Sequence, residues 1–399
     1  MVGRAEKMDK MLLEEKLRLY IPNNKWIRRM LTDMKMHQYD QGFVSEKDIK
    51  WAYGDPDRKK ELVEKWRKKH HQAAVYLDKR INMIRDVNPG FREKTESEEY
   101  LLDVQYCYCA YGFLPFEYLN YELFSKAEEE YREYISEKEK NDIHYRLNDL
   151  KAMAYFNDKA LTYKMFGELY HRDCMVIEKK KDWEQFQAFT GKHPVFFRKQ
   201  VYGFGGHTVT KADLKSCPEK AFEMFESMIR EGKYIIEEPI RQSKAVSVFN
   251  DSSVNTVRHT MILTKHGPKA ASTFFRTGKA GAVVDNAGSG GVFAGVDAET
   301  GILNTSGVDE YGMRYEKHPD SGIVYKGYRL PDWDQLIRIC TEASVKAGEM
   351  GCRNVGWDLA HTEEYGWIMV EGNAGGQLVE QNASQKGLRA RIEPLLADV

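Results

Sequence analysis

The sequence predicts an α+β chain: a mainly helical N-terminal region followed by a mixed α/β remainder. Three observations predict it. Residues 1–150 are poor in glycine and carry apolar positions at helical spacing. From about residue 155, short β-branched runs alternate with helical patterns. After residue 250 the strand-like runs follow one another without helices between them, which points to an antiparallel sheet. With 399 residues the chain has length for two or three domains and a full core. The change of texture near residue 150 sets 1–150 apart from the rest.

The helical region begins to read clearly at Asp55-Pro56, a capping residue before a first-turn proline. After it, Leu62, Trp66, Ala73, Leu77, Ile81 and Ile84 make one apolar stripe on a single long helix. The basic runs between them are a solvated face. Near Tyr106 the composition turns aromatic (YCYCAYGFLPFEYLNYELF). Such density serves a core, an interface with a neighbouring domain, or a sugar-binding face.

Expected strands in the lobes are 195–200, 207–211, 234–238, 255–264, 270–276, 291–297, 355–361 and 367–371. Expected helices are 160–170, 183–190, 219–231, 333–349 and 380–388.

Composition excludes several classes. Lys+Arg is 60 and Asp+Glu is 61, a net charge of −1, so the chain is not a basic nucleic-acid binder. Its apolar stretches run a few residues, against roughly 20 needed to span a bilayer, so no membrane insertion is expected. The N-terminal segment has no continuous apolar core, and Val2 stands where myristoylation needs glycine. The six cysteines form no CxxC pair, and Cys107 with Cys109 cannot alone complete a zinc site. Reduced thiols in a cytoplasmic protein are expected.

The chemistry lies in four places. The first is Lys159, opening a helix after Asn157-Asp158, with Lys199 at the end of the apolar strand PVFFRKQ. A lysine at the end of a buried strand needs an anionic partner, and a phosphate would serve. The second is Tyr202-Gly203-Phe204-Gly205-Gly206-His207, a turn richer in glycine than a hairpin requires. Its backbone N–H groups can form an anion nest. The third is the strand end Tyr234-Ile-Ile-Glu237-Glu238-Pro239-Ile240, a hinge whose backbone could read a base edge. The fourth is NVGWDLAHTEEYGWIMVEGNAGGQ, two strands joined by a tight turn. Antiparallel pairing brings Asp358 to Glu371 and Asn373, a set of hard oxygen donors suited to Mg2+ with phosphate oxygens.

In this order the residues resemble the ATP-grasp superfamily. The segments SVNTVR and VVDNAGSGGVFAGVD, with the EGNAGG close, narrow the resemblance to the sugar-transfer-associated ATP-grasp family over roughly residues 105–390. The resemblance implies an ATP-grasp fold, two α/β lobes clasping ATP, behind the helical region. It implies that Lys159 and Lys199 bind the α- and β-phosphates. Gly203, Gly205, Gly206 and His207 would fold over the phosphates as a flap. Glu237, Glu238 and Ile240 would cradle adenine. Asp358, Glu371 and Asn373 would hold Mg2+. Arg258 and Arg276 would steady the transferring phosphoryl group, with Asp285-Asn286 and Gly288, Gly290 and Gly291 as a second loop beside it. His318-Pro319 is either an acceptor-site residue or, the better reading, a surface loop.

The implied activity is an ADP-forming carboxylate–amine ligase working through an acyl phosphate, in surface polysaccharide or related biosynthesis on a sugar-linked or amino-acid substrate. The alternatives are a phosphotransferase acting on a hydroxyl and a nucleotide-binding partner of a glycosyltransferase.

Overall fold

Helices succeed one another from Lys25 to Asn157, most of them capped by a side chain. The computed structural model describes residues 13–202, 209–279, 281 and 291–399. Asp55 caps the Pro56–Lys69 helix, its Oδ1 accepting from the N–H groups of Asp57 and Arg58 at 3.1 Å. The long helix expected beyond it is two helices. His70, at φ −116° and ψ 52°, ends Pro56–Lys69 and starts His71–Val87. The break has a packing reason. A straight helix would carry the second half of its stripe past the core. Broken at His70, it buries Trp66, Leu77 and Ile81 in the same cluster.

The aromatic segment supplies that cluster with Tyr106, Phe113, Tyr118 and Tyr121, all buried. It is also a joint. Tyr121 stacks on Tyr134 with ring centroids 4.5 Å apart. Its hydroxyl donates to Asn382 at 3.3 Å, close to the C-terminus.

The first lobe is a four-stranded antiparallel sheet of β1 (Cys174–Ile177), β2 (Val195–Gln200), β3 (Val209–Asp213) and β4 (Tyr234–Glu237), in the order β1-β4-β2-β3. The helices Trp183–Lys192 and Ala221–Glu231 pack Phe186, Phe225 and Met228 against Phe196 and Ile236.

The second lobe is a seven-stranded sheet in the order β11-β10-β5-β6-β7-β8-β9. Its strands are β5 (Thr256–Thr264), β6 (Gly267–Thr277), β7 (Val292–Val296), β8 (Leu303–Asp309), β9 (Arg314–Tyr315), β10 (Asn354–Thr362) and β11 (Gly366–Ala374). Its ladders are antiparallel, as the uninterrupted run of strands predicts. Alternation divides the sheet. Val257, Met261, Val355, Trp357 and Leu359 pack with Leu336, Cys340 and Ala343 of the Trp333–Glu349 helix. The residues between them, Arg258, Thr260, Gly356 and Asp358, take the opposite face.

Strands β1, β8 and β9 were not expected. β8 reads LNTSGVD, too polar to signal a strand, and its place is set by pairing with β7. There a Cβ on Gly307 would meet Val292 at 2.5 Å. The C-terminal helix is shorter than expected, Glu380–Ser384, and a second follows at Arg389–Ala397. No described helix is long and apolar enough to cross a membrane.

Candidate active site

Local geometry first places the two lysines. Asp158 caps the Lys159–Phe166 helix by accepting from Ala160 and Leu161 at 2.9 and 3.0 Å. Lys159 is therefore the first helical residue, and its N–H donates to Val201 O at 3.3 Å, just beyond β2. Burial lowers the pKa of its ammonium group, Glu371 works against that, and Lys199 reinforces it. Lys199, on β2, donates to Glu237 Oε2 at 2.9 Å across the β2–β4 pairing.

Glu237 is buried at the end of β4. Burial pushes its carboxyl up, but Lys199 and Arg172 outweigh that and hold it at about 2. Its side chain is thus the counter-charge of two cations. Glu238 is also engaged: its N–H donates to Asp173 O at 2.9 Å, and its Oε2 accepts from Asp173 N at 3.1 Å. Within the segment expected to read a base edge, the Glu238 N–H is thus paired with the residue before β1. Ile240 is half-buried in the connection that follows.

The connection is pinned by the SVNTVR segment. Asn255, fully buried, donates from Nδ2 to Val246 O and Asn250 O at 3.0 and 2.6 Å. In the same way Asn148 of the RLND segment brackets β10, donating to Asn354 O at 2.8 Å and accepting from Asn354 N at 2.9 Å.

In the second lobe Asp358 and Glu371 face one another in register, as antiparallel pairing predicts. Asn373 donates from Nδ2 to Glu371 Oε1 at 3.2 Å. Asp358 is 1% exposed and lies between two arginines. Arg258 Nη2 reaches its Oδ2 at 2.6 Å and Arg258 Nε its Oδ1, while Arg276 Nη2 lies 3.0 Å from Oδ2. Burial raises its carboxyl, and the two guanidinium groups more than reverse this, leaving it below the usual range. Gly356 makes room for the clamp: a Cβ there would meet Arg258 Cδ at 2.9 Å. Beyond the metal-type residues, Gly375 (φ +81°) gives its Cβ space to the ring of His144.

Sequence reasoning missed Arg172. It lies two residues before β1, and the pairing of Cys174 with Glu237 brings it to that carboxylate at 2.9 Å. No spacing marks it in HRDCMVI. His318 is neither acceptor residue nor surface loop. It is 1% exposed, its Nε2 lies 2.9 Å from Gly278 O, and its Nδ1 accepts from Asp320 N and Ser321 N. Both ring nitrogens are spent on backbone. Gly203, Gly205, Gly206, His207 and Asn286 lie outside the described residues.

Two lysines, one with depressed basicity, thus stand with Glu371 between two sheets. That arrangement suits a polyanion carried with a divalent cation. Of the expected metal set, Glu371 and Asn373 fit Mg2+: Glu371 is partly exposed, and an amide that spends Nδ2 on Glu371 keeps its oxygen for a cation, whereas both Asp358 oxygens are taken by Arg258 and Arg276.

The D-alanine–D-alanine ligase from Coxiella burnetii is 11% identical, with TM-score 0.34 over 57% of this chain and 50% of that one. The chain thus spans half the length of that neighbour. ATP-grasp ligase PsnB, in complex with a phosphomimetic precursor variant, Mg and ADP, is 12% identical with TM-score 0.39, covering 63% of this chain and 62% of its own. D-cycloserine synthetase DcsG is 13% identical with TM-score 0.38, covering 62% and 73%. No curated protein matches the sequence. The model of the sugar-transfer-associated ATP-grasp family matches residues 138–395. The chain belongs to the sugar-transfer-associated ATP-grasp family, and its fold is an ATP-grasp fold behind a helical N-terminal region.

Proposed function

We propose that the protein is an ATP-dependent, ADP-forming carboxylate–amine ligase acting through an acyl phosphate. Family membership supports the nucleotide. The observation that carries the reading is the order of cations and carboxylates on the two sheets: Lys199 at 2.9 Å from Glu237 on the first, and Asp358 in register with Glu371 on the second. Residues 151–236 act as the first lobe and 237–399 as the second, with 1–150 as the helical region.

Lys159 and Lys199 neutralise the α- and β-phosphates. The Gly203–His207 segment covers them, and Asn286 lies beside the transferring group. Glu237, Glu238 and Ile240 border the adenine. Glu371 and Asn373 would hold Mg2+, joined by Asp358 where the cation displaces one of its arginine partners, and the ion would supply charge neutralisation at the phosphates. Arg258 and Arg276 present planar donors to the phosphoryl group and the acyl phosphate. These groups position and neutralise; none forms a covalent bond. The substrate is sugar-linked or an amino acid, in surface polysaccharide or related biosynthesis, and the enzyme acts in the cytoplasm.

The test is product analysis with MgATP, a panel of amino acids and sugar acids, and hydroxylamine as a generic amine. ADP together with a hydroxamate is the expected outcome. ADP with a phosphorylated hydroxyl compound and no hydroxamate would make the protein a phosphotransferase. Nucleotide binding without ADP release in the presence of a glycosyltransferase and its substrates would make it a binding partner.

A further inference from the structure

We propose that Arg172 is a positioning residue: it holds the β-bulge that presents Glu371 and ties that strand to the Lys199–Glu237 pair. The inference rests on the reading that Glu371 holds the metal.

The pairing of β10 with β11 carries one irregularity. Asp358 pairs with Glu371, but Leu359 pairs with Met369. Val370 is the extra residue, a β-bulge directly before Glu371. A bulge turns the following side chain and leaves backbone groups without ladder partners, so something must hold it. Arg172 does. Its Nη1 donates to Met369 O at 2.6 Å and its Nη2 to Val370 O at 3.2 Å.

The rest of the guanidinium belongs to the first lobe. Nε and Nη2 donate to Glu237 Oε2 at 3.2 and 2.9 Å, and Nη1 donates to Tyr170 O at 3.3 Å. These five bonds match the five donors of an arginine. The side chain is 3% exposed and lies over the Tyr170 ring at 4.6 Å. The residue before it adds a second tie. His171 is held at φ 43° and stacks on Tyr365, in the turn of the same hairpin, at 5.0 Å. Two consecutive residues of one connection therefore grip the β10–β11 hairpin, at its turn and at its bulge. Through Glu237, the lysine of one lobe and the carboxylate of the other share one rigid support. A lysine at 172 would keep the charge beside Glu237. It could not span both carbonyls and the carboxylate with one planar fork.

The test is Arg172→Lys, with Mn2+ titrated by electron paramagnetic resonance in the presence of a non-hydrolysable ATP analogue. Groups that orient metal ligands typically cost about 10- to 100-fold in metal affinity when altered. A loss of that size is expected, with metal-free nucleotide affinity falling less. The double variant with Glu371→Gln is expected to lose no more than Glu371→Gln alone, because Arg172 acts through that carboxylate. Hydrogen exchange across residues 366–374, compared with the Trp333–Glu349 helix, separates a local effect from general unfolding. Unchanged Mn2+ affinity in Arg172→Lys, or losses that add in the double variant, would overturn the proposal. If Glu371→Gln binds Mn2+ as well as wild type does, the metal reading itself falls, and this inference with it.

Discussion

Each lobe buries one carboxylate between two cations, and the two arrangements differ in what they join. In the first lobe Glu237 takes Arg172 and Lys199, both at 2.9 Å. Arg172 continues across to the carbonyls of β11. In the second lobe Asp358 takes Arg258 and Arg276, which stand on β5 and β6 of its own sheet. One cluster spans the cleft and the other lies flat on one wall. A lysine, a compact charge on a flexible stem, suits a phosphate that comes and goes. Two planar guanidinium groups on neighbouring strands suit a charge that must sit at one fixed place.

The comparison is tested most severely at Asp358. Asp358→Asn leaves two buried guanidinium groups without their counter-charge, at a cost of about 3–5 kcal/mol. It should abolish turnover and lower the melting temperature together. Glu371→Gln, at a partly exposed position across the strand, should abolish turnover with little change in melting. Equal melting losses in the two variants would erase the distinction between the buried, clamped carboxylate and the partly exposed one beside it.

Glu237→Gln comes next. It leaves Arg172 and Lys199 with a neutral partner and should destabilise by a similar or somewhat smaller amount, read by denaturant titration. Acid titration addresses the same carboxylate. Its carboxyl sits at about 2 when folded, against 4.5 ordinarily. The unfolded chain binds the proton more readily, so this contribution, roughly 3 kcal/mol, is complete above pH 4.5 and is lost as pH falls through 2. Half-buried His144 and buried His259 act earlier. Burial lowers each from 6.5 to about 4. Their contribution is complete above pH 6.5 and declines toward pH 4, so melting temperature should begin to drop on the first side of that window. A flat melting curve from pH 7 to 4 would contradict both burials.

Lys199→Ala should act on nucleotide rather than on fold, because Arg172 stays with Glu237. The expected result is a rise of about 10-fold or more in the ATP concentration for half-maximal rate, the size of one lost charge-assisted bond to phosphate. An unchanged ATP requirement would remove Lys199 from the phosphate site. The smallest effect lies in the helical region. Arg67 pairs with Asp78 at 2.7 Å while the side chains are 33% and 42% exposed. Arg67→Ala should cost under about 1 kcal/mol in a denaturant titration, since water screens an exposed pair. A loss as large as that of Glu237→Gln would mean that burial is not what separates these ion pairs.

Local chemistry makes some of this legible in the chain. Asp55-Pro56 caps a helix because its carboxylate reaches the first free N–H groups. The facing of Asp358 and Glu371 follows from two strands and a tight turn. Other features have no local signal. The break at His70 depends on a core supplied by Tyr100 and Val104, both on the later Glu98–Tyr111 helix. His318 looks like a loop histidine until the loop folds back onto Gly278. Arg172 has no spacing to any partner, because Glu237 and Val370 reach it through separate sheets.

The sequence by itself determined the helical first region, the antiparallel second sheet, the family and the order of the lysines and carboxylates. Periodicity, capping and short-range pairing act within a few residues, so they can be read along the chain. Tertiary structure alone decided which cation serves which carboxylate. A buried charge is satisfied by whatever the fold brings within about 3 Å, and that neighbour comes from another strand or another lobe.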